Sequence, residues 1–351
     1  MTSRWDRTID PRQTLYRWDL DKTYLRTEFD TFKDLVRTAF EPPSRKRTVP
    51  GAAMLLREIE ATDPAGVHIL SGSPEQMRFV LETKLRQDGV RWDSFTLKPN
   101  LQNLVHGRFR SLRNQLHYKL ASLLRSRVLV RDIPLEIMFG DDAEADAYVY
   151  SLYADLCADA VEPGVLDLIL EAGHLYEEER DEIHELLAEL PKQECVGQIF
   201  IHLDRVSPHF AFDAFGPRVC PIYNYFQAAL VLLQWGGLAA DSVLRVGDEI
   251  ARTYGFSPDA LGASFMDLVR RGFLGKAVAQ ALDQELEKAR VSGAASRWGS
   301  PSRAFLEDIG PRLEGVPSIP SLERKDIDYV GAFSADRARS RAAKRRVRWR
   351  R

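Results

Sequence analysis

The stretch LYRWDLDKTY, residues 15–24, decides the fold. Its first part is rich in aromatic and aliphatic residues, which predict a strand over residues 14–20. It closes with Asp19, Asp21 and Thr23, each two residues from the next. Carboxylates at the end of a buried strand indicate either a site built for chemistry or a polar turn that only closes the strand.

The segments that follow alternate between strand-like and helix-like patterns. Residues 66–70, 94–97, 135–139 and 197–203 are short and apolar, and helical spacing of apolar residues occupies the intervals between them. Such alternation is typical of an α/β fold in which helices flank a parallel sheet. We therefore predict a Rossmann-like parallel sheet in the first part of the chain.

Three of the predicted strands end in polar, small or acidic residues. In open parallel sheets, ligands bind beyond the carboxyl ends of the strands, so these residues are expected to meet at one edge. The groups are Asp19, Asp21 and Thr23; Ser71, Gly72 and Ser73; and Gly140, Asp141 and Asp142. An alternative for Ser71, and more so for Ser73, is to cap the helix that follows.

Phosphoryl transfer is a chemistry that suits these residue types. It needs a nucleophile, a proton donor, a metal ion, and positive or hydrogen-bonding groups around the phosphoryl oxygens. The candidates are Asp19 as nucleophile, Asp21 as proton donor, Ser71 and Lys119 as phosphoryl contacts, and Asp141 with Asp142 or Asp146 as carboxylate ligands of Mg²⁺. Lys98 is the alternative to Lys119.

The order of these motifs resembles a known superfamily. DLDKT at 19–23, SGSP at 71–74, Lys119 in HYKL, and GDDAEAD at 140–146 are similar to the signatures of haloacid-dehalogenase-like phosphatases. VPGAAMLL and GQIFIHLDRV extend the resemblance to one branch, the actin-patch phosphatidate phosphatase catalytic domain. The resemblance covers about residues 13–215, without an acidic insertion, and this chain departs from the branch at Lys22 and Asp142.

The resemblance implies a role for each motif residue. Asp19 would form an aspartyl-phosphate and bind Mg²⁺, and Asp21 would be the general acid and base, with its backbone carbonyl on the metal. Asp141 would be the third protein ligand, while Asp142 and Asp146 would bind metal-bound water or orient Lys119. The substrate-binding residues would be Thr23, Ser71, Gly72 and Lys119.

The function implied is a Mg²⁺-dependent phosphomonoester hydrolase, with a lipid phosphate such as phosphatidate as first-choice substrate. Two alternatives remain open: a phosphatase acting on nucleic-acid ends or phosphoproteins, and a non-catalytic interaction protein built on the same core. The gaps of 27 residues after Thr23 and 45 residues between Pro74 and Lys119 are too short for a large cap domain. They therefore predict an open site, which suits phosphates on macromolecules or membranes.

Composition suggests three regions. Residues 1–222 form the phosphatase-like core, with an acidic helical insertion at about 161–193; residues 223–292 form a C-terminal helical region; residues 293–351 form a linker or arm. The last fifteen residues, 337–351, hold nine of the 49 Lys and Arg and none of the 51 Asp and Glu. Such a tail is expected to bind a polyanion, which could be an anionic membrane, nucleic acid or the acidic insertion.

Cysteine usage and hydropathy predict the compartment. Three cysteines are odd in number and far apart, which argues against a disulfide framework or a zinc site. The chain begins without the apolar core of a signal peptide, and it has no apolar run long enough to span a bilayer. We expect a cytoplasmic protein that is peripheral at a membrane.

Overall fold

A computed structural model describes residues 8–25, 48–98, 112–143, 145–204, 207–292, 300–323 and 325–333. The basic tail predicted at 337–351 lies outside these residues. So do the segments 26–47 and 99–111, on which the predicted openness of the site depends.

Six parallel strands form one sheet, in the order β3-β2-β1-β4-β5-β6. The strands are β1 (Thr14–Asp19), β2 (Gly66–Pro74), β3 (Ser94–Lys98), β4 (Leu135–Asp141), β5 (Val196–His202) and β6 (Val219–Ile222). The predicted parallel sheet is thus confirmed. The sixth strand is not predicted by the apolar runs, because it is short and contains Pro221. Proline is tolerated at the edge of a sheet, where β6 lies.

A stack of aromatic rings crosses the middle of the sheet. Trp18 on β1 is the register partner of Phe139 on β4, which in turn pairs with Phe200 on β5. The ring centroids lie 3.9 Å and 5.0 Å apart in near-parallel planes. These rings immediately precede the strand ends that carry Asp19 and Asp141, so the residues of the candidate site rest on a tightly packed layer.

Helices cover both faces of the sheet, each over its own buried apolar cluster. One face carries α1 (Ala52–Glu60), α2 (Arg78–Gln87), α7 (Tyr225–Gln234), α8 (Ala240–Tyr254), α9 (Pro258–Arg270), α10 (Lys276–Val291) and α11 (Ser300–Ile309). The other carries α3 (Leu112–Leu129), α4 (Asp146–Cys157), α5 (Pro163–Ala172) and α6 (Glu177–Glu189). Because both faces are covered, β1, β4 and β5 are buried along their whole length.

The acidic insertion predicted at 161–193 contains two helices, α5 and α6. Helix α6 packs against α3 through charged side chains: Nε2 of His117 lies 2.9 Å from Oε2 of Glu182, and Arg125 pairs with the same carboxylate. The insertion therefore contacts the helix that carries Lys119.

The C-terminal region differs from the predicted linker or arm. Helix α11 lies within residues 293–351, and its Phe305 and Ile309 are fully buried. Phe305 meets Phe226 of α7 edge to face, with centroids 5.7 Å apart. The apolar residues of α11 are flanked by Ser, Gly and Pro, and this composition conceals the helix in the sequence. The same buried cluster also runs across the predicted boundary at residue 222, because α7 packs against the sheet.

Among the described residues, no helix combines the length and the apolar character that a membrane span requires.

Candidate active site

The candidate site lies at the carboxyl ends of β1 and β4, the two central strands. The chain leaves β1 towards β2 and leaves β4 towards β5, so the connections diverge between them. This divergence opens a crevice at the carboxyl edge, where open α/β sheets bind their ligands. Asp19 is the last residue of β1 and Asp141 the last of β4.

Three buried carboxylates converge at this crevice. Asp19, Asp141 and Asp146 each offer one ligand atom, and these atoms all lie within 4.8 Å of one another. All three side chains are 1 % exposed or less. Asp146 is the first residue of α4, and its Oδ2 accepts the backbone N–H of Asp141 at 3.1 Å.

Glycine at position 140 is what allows Asp146 to approach. A Cβ on Gly140 would lie 2.5 Å from Oδ2 of Asp146, closer than non-bonded atoms come. Position 140 therefore requires glycine for steric reasons, because a side chain there would displace the carboxylate of Asp146.

Lys119 is the cation of the cluster. It projects from α3 and is 1 % exposed; its Nζ donates a hydrogen bond to Asp146 and lies 3.3 Å from Oδ1 of Asp19. Three carboxyl groups thus face one ammonium group, and uncompensated buried charge is costly. This donor set fits a divalent cation, and an all-oxygen set of carboxylates suits a hard cation best.

The loop after β1 turns back so that Thr23 reaches Asp19. Lys22 adopts a positive φ of 62°, and the N–H groups of Tyr24 and Leu25 both donate to the carbonyl of Leu20. The Thr23 hydroxyl then donates to Oδ2 of Asp19 at 3.1 Å. The spacing of the DxDxT motif therefore allows a tight turn, in which Thr23 orients the Asp19 carboxylate.

Asp21 is held by two serines of β2. Both Ser71 and Ser73 donate their hydroxyls to Oδ2 of Asp21, at 2.9 Å and 2.7 Å. The alternative in which Ser73 caps the next helix is wrong: β2 continues through Pro74, and Pro74 occupies the cap position without a side-chain hydrogen bond. Next to the serines, Tyr118 donates its hydroxyl to the Ser71 carbonyl at 2.9 Å.

Two predicted site residues stand apart from the carboxylate cluster. Oδ2 of Asp142 accepts the backbone N–H of Ser207 at 3.0 Å, and Asp142 does not belong to the group of converging carboxylates found among the described residues. Asp142 is the first residue after β4 and turns away to this contact, so of the two neighbours only Asp141 joins the converging group. Gly72 is half-buried, and among the described residues no heavy atom other than those of its chain neighbours lies within 4 Å of the position a Cβ would take.

Two residues that the sequence patterns do not predict support the loop. Nδ1 of His202, at the end of β5, lies 2.9 Å from the carbonyl of Lys22. Tyr225, the first residue of α7, donates its hydroxyl to the carbonyl of Thr23 at 2.6 Å and stacks on the His202 ring. His202 could have been found by the strand-end rule, whereas Tyr225 reaches the site only through the packing of α7.

Tyr225 remains a neutral hydrogen-bond donor. Its burial raises the pKa of the phenol well above the ordinary value, and the nearby carboxylates of Asp141, Asp19 and Asp146 raise it further. The hydroxyl therefore keeps its proton at neutral pH.

The fold and the site together define a class: a Rossmann-like α/β protein with a buried triad of aspartates that could hold a metal ion. Comparison with protein-family models, curated proteins and solved structures finds no match for the chain.

Proposed function

We propose that the protein is a Mg²⁺-dependent phosphomonoester hydrolase that acts through an aspartyl-phosphate on Asp19. The observation that carries the proposal is the position of Asp19: it ends the central strand β1, belongs to the carboxylate triad, and lies 3.3 Å from Nζ of Lys119. A carboxylate beside a cation and a metal site is suited to approach a dianionic phosphate, which would otherwise repel it.

In the proposed first step, the Asp19 carboxylate attacks phosphorus and the bond to the leaving oxygen breaks. Thr23 orients the carboxylate, and Lys119 offsets the negative charge of nucleophile and phosphoryl group. When bound, Mg²⁺ held by Asp19, Asp141 and Asp146 would supply further neutralisation of the phosphoryl oxygens. Asp21 gives the leaving oxygen its proton.

In the proposed second step, water attacks phosphorus and the bond to Asp19 breaks. Asp21 takes a proton from this water and is thereby returned to its acid form for the next cycle. A second carboxyl group next to the nucleophile thus favours hydrolysis over a long-lived phosphorylated protein.

The first-choice substrate is a phosphate monoester on a lipid, such as phosphatidate. The sequence resemblance and the basic tail at 337–351 support this choice. Each Lys or Arg near an anionic membrane contributes about 1 kcal/mol, so nine of them could hold the protein there at moderate salt.

The test is phosphate release from p-nitrophenyl phosphate and from phosphatidate vesicles, with Mg²⁺ or with EDTA. The wild type is compared with Asp19→Asn and with Asp132→Asn, a control at an exposed aspartate beyond α3. We expect Mg²⁺-dependent release that only Asp19→Asn abolishes, and the rate on the lipid should exceed that on the small ester.

The other outcomes point to the alternatives. Release from 5′-phosphorylated oligonucleotides or phosphopeptides in preference to the lipid would assign the same core to those substrates. A folded wild type that binds no Mg²⁺ and releases no phosphate would instead indicate an interaction protein.

A further inference from the structure

The two serines of β2 give Asp21 an unusual environment. Ser71 and Ser73 are both buried, and both donate to the same oxygen of Asp21. Near its end β2 is irregular, with a register shift against β3 between Ser71 and Pro74, and this course of the strand brings both hydroxyls to Asp21.

The Ser71 hydroxyl is fully engaged in this arrangement. Its oxygen accepts the N–H of Ser73 at 3.0 Å, and its single proton is donated to Asp21. A hydroxyl has only one proton to donate. A phosphoryl oxygen that receives a hydrogen bond from Ser71 must therefore take it from Asp21.

Ser73 does not have to choose between Asp21 and the substrate. Its hydroxyl makes the shorter of the two bonds to Asp21, at 2.7 Å, and its contact does not have to be given up when Ser71 turns to a substrate. Asp21 would then remain attached to β2 through Ser73.

We infer that Ser73 is a positioning residue for Asp21, and that substrate binding changes the partner of Ser71, whose hydroxyl leaves Asp21 and donates to the phosphoryl group. In the free protein both serines hold Asp21; in the complex, Ser71 donates to the phosphoryl group and Ser73 keeps the Asp21 carboxyl directed at the leaving oxygen. The inference rests on the proposed hydrolase function, because it concerns the proton donor of that reaction.

The dependence of rate on the leaving group can isolate this role. An alkyl phosphate, such as phosphatidate in detergent micelles or glycerol phosphate, leaves as an alcohol and needs a proton from Asp21. p-Nitrophenyl phosphate leaves as a stabilised phenolate and needs it much less. The measured quantity is kcat/KM, which covers the steps up to formation of the aspartyl-phosphate and excludes the later attack of water.

For Ser73→Ala we expect kcat/KM on the alkyl phosphate to fall by about tenfold or more, the effect of one lost hydrogen bond to a catalytic carboxyl group. On p-nitrophenyl phosphate it should change little. Ser73→Thr keeps the hydroxyl in a residue that suits a strand, and it should restore the alkyl rate. Ser71→Ala should lower kcat/KM on both substrates, since it removes a contact to the phosphoryl group itself.

Ser126→Ala is the matched control. Its half-buried hydroxyl lies in α3 and accepts a hydrogen bond from Arg17, away from Asp21. An equal loss on both substrates in Ser73→Ala, or no rescue by Ser73→Thr, would overturn the inference while leaving the hydrolase intact. A wild type without activity on either substrate would overturn the proposed function, and the inference with it.

Discussion

Single residues at the strand ends determine whether the carboxylate triad can form. Gly140 is the clearest case, because Asp146 occupies the space of a Cβ at this position. The sequence alone shows a glycine before an aspartate. Its reason becomes visible only when Asp146, six residues later, folds back over it.

Gly140→Ala should therefore displace Asp146 and weaken metal binding. Changes next to metal ligands cost about 10- to 100-fold in affinity, and we expect a loss of that size in a calorimetric titration with Mg²⁺. Gly164→Ala in α5 is the control, since in the part of the chain that the structure describes no heavy atom beyond its chain neighbours and its own helix backbone lies within 4 Å of the position of its Cβ. Equal Mg²⁺ affinity in both variants would show that Asp146 is not a ligand.

Tyr225→Phe should destabilise the loop after β1. The change leaves the buried carbonyl of Thr23 without the hydroxyl that donates to it at 2.6 Å, and such a loss costs about 1–3 kcal/mol of unfolding free energy. Tyr16→Phe is the control: Tyr16 is equally buried, but its hydroxyl has no hydrogen-bond partner within the described part of the chain. Urea unfolding should show a loss for Tyr225→Phe and none for Tyr16→Phe. A smaller loss at Tyr225 than at Tyr16 would contradict the assigned support role.

Sequence patterns predict the residues whose place follows from a strand end, and they fail where packing decides. Asp19 and Asp141 meet because parallel strands align their carboxyl ends. The motif wrongly predicts Asp142 as a ligand, because in the turn after β4 its carboxylate accepts the N–H of Ser207. Tyr225 lies about 200 residues from the loop that it supports, and no local pattern connects the two.

At the scale of elements, β1, β2 and α3 are joined by a partly buried polar contact. His68 on β2 lies with its Nδ1 3.3 Å from the hydroxyl of Ser126 on α3, which also receives a hydrogen bond from Arg17 of β1. Burial lowers the pKa of His68 to about 4, and the charge of Arg17 acts in the same direction, against the weaker opposing effects of Asp93 and Glu136.

The lowered pKa of His68 makes the stability of the fold depend on pH. Between about pH 4 and about pH 6.5 the unfolded chain binds a proton at His68 that the folded chain does not, so stability falls as the pH falls through this window. His68→Gln should lose less stability than the wild type between about pH 7 and about pH 4.5 in urea unfolding. An equal loss of stability on acidification in the wild type and in His68→Gln would refute the role of His68.

The elements themselves were predictable to the extent that their patterns are simple. Buried strands with both faces covered give apolar runs, and five of the six strands follow from them. The sixth is interrupted by Pro221, and α11 is concealed by its Ser, Gly and Pro neighbours. In both cases local composition is misleading because tertiary packing determines the structure.

At the scale of the whole molecule, the C-terminal segment 325–333 is attached to the helix that begins with Asp146. The Tyr329 hydroxyl donates to Oδ2 of Asp155 at 2.6 Å, and Arg218 pairs with the same carboxylate. Tyr329 and Phe333 each meet the ring of Tyr148 edge-on, with centroids 5.7 Å away. The segment thus packs against α4 two residues from the triad, immediately before the chain continues to the basic tail.

Two truncations separate packing from charge. A chain ending at residue 324 loses two buried aromatic side chains, worth about 1.5–3 kcal/mol each, and should show a lower Tm and weaker Mg²⁺ binding. A chain ending at residue 336 keeps them and should match the wild type in both, while losing co-sedimentation with phosphatidate vesicles. Equal Tm values for the two truncations would contradict the docking of this segment on α4. Full vesicle binding without the tail would contradict its proposed role at the membrane.

The central claim is that Asp19 carries the phosphoryl group. The most direct measurement is mass spectrometry of peptides from an acid-quenched reaction with p-nitrophenyl phosphate and Mg²⁺. The account predicts one phosphoryl group on the peptide that contains Asp19, removed by hydroxylamine, absent with EDTA and absent in Asp19→Asn. Phosphate release that persists in Asp19→Asn, or a phosphoryl group on another residue, would contradict it.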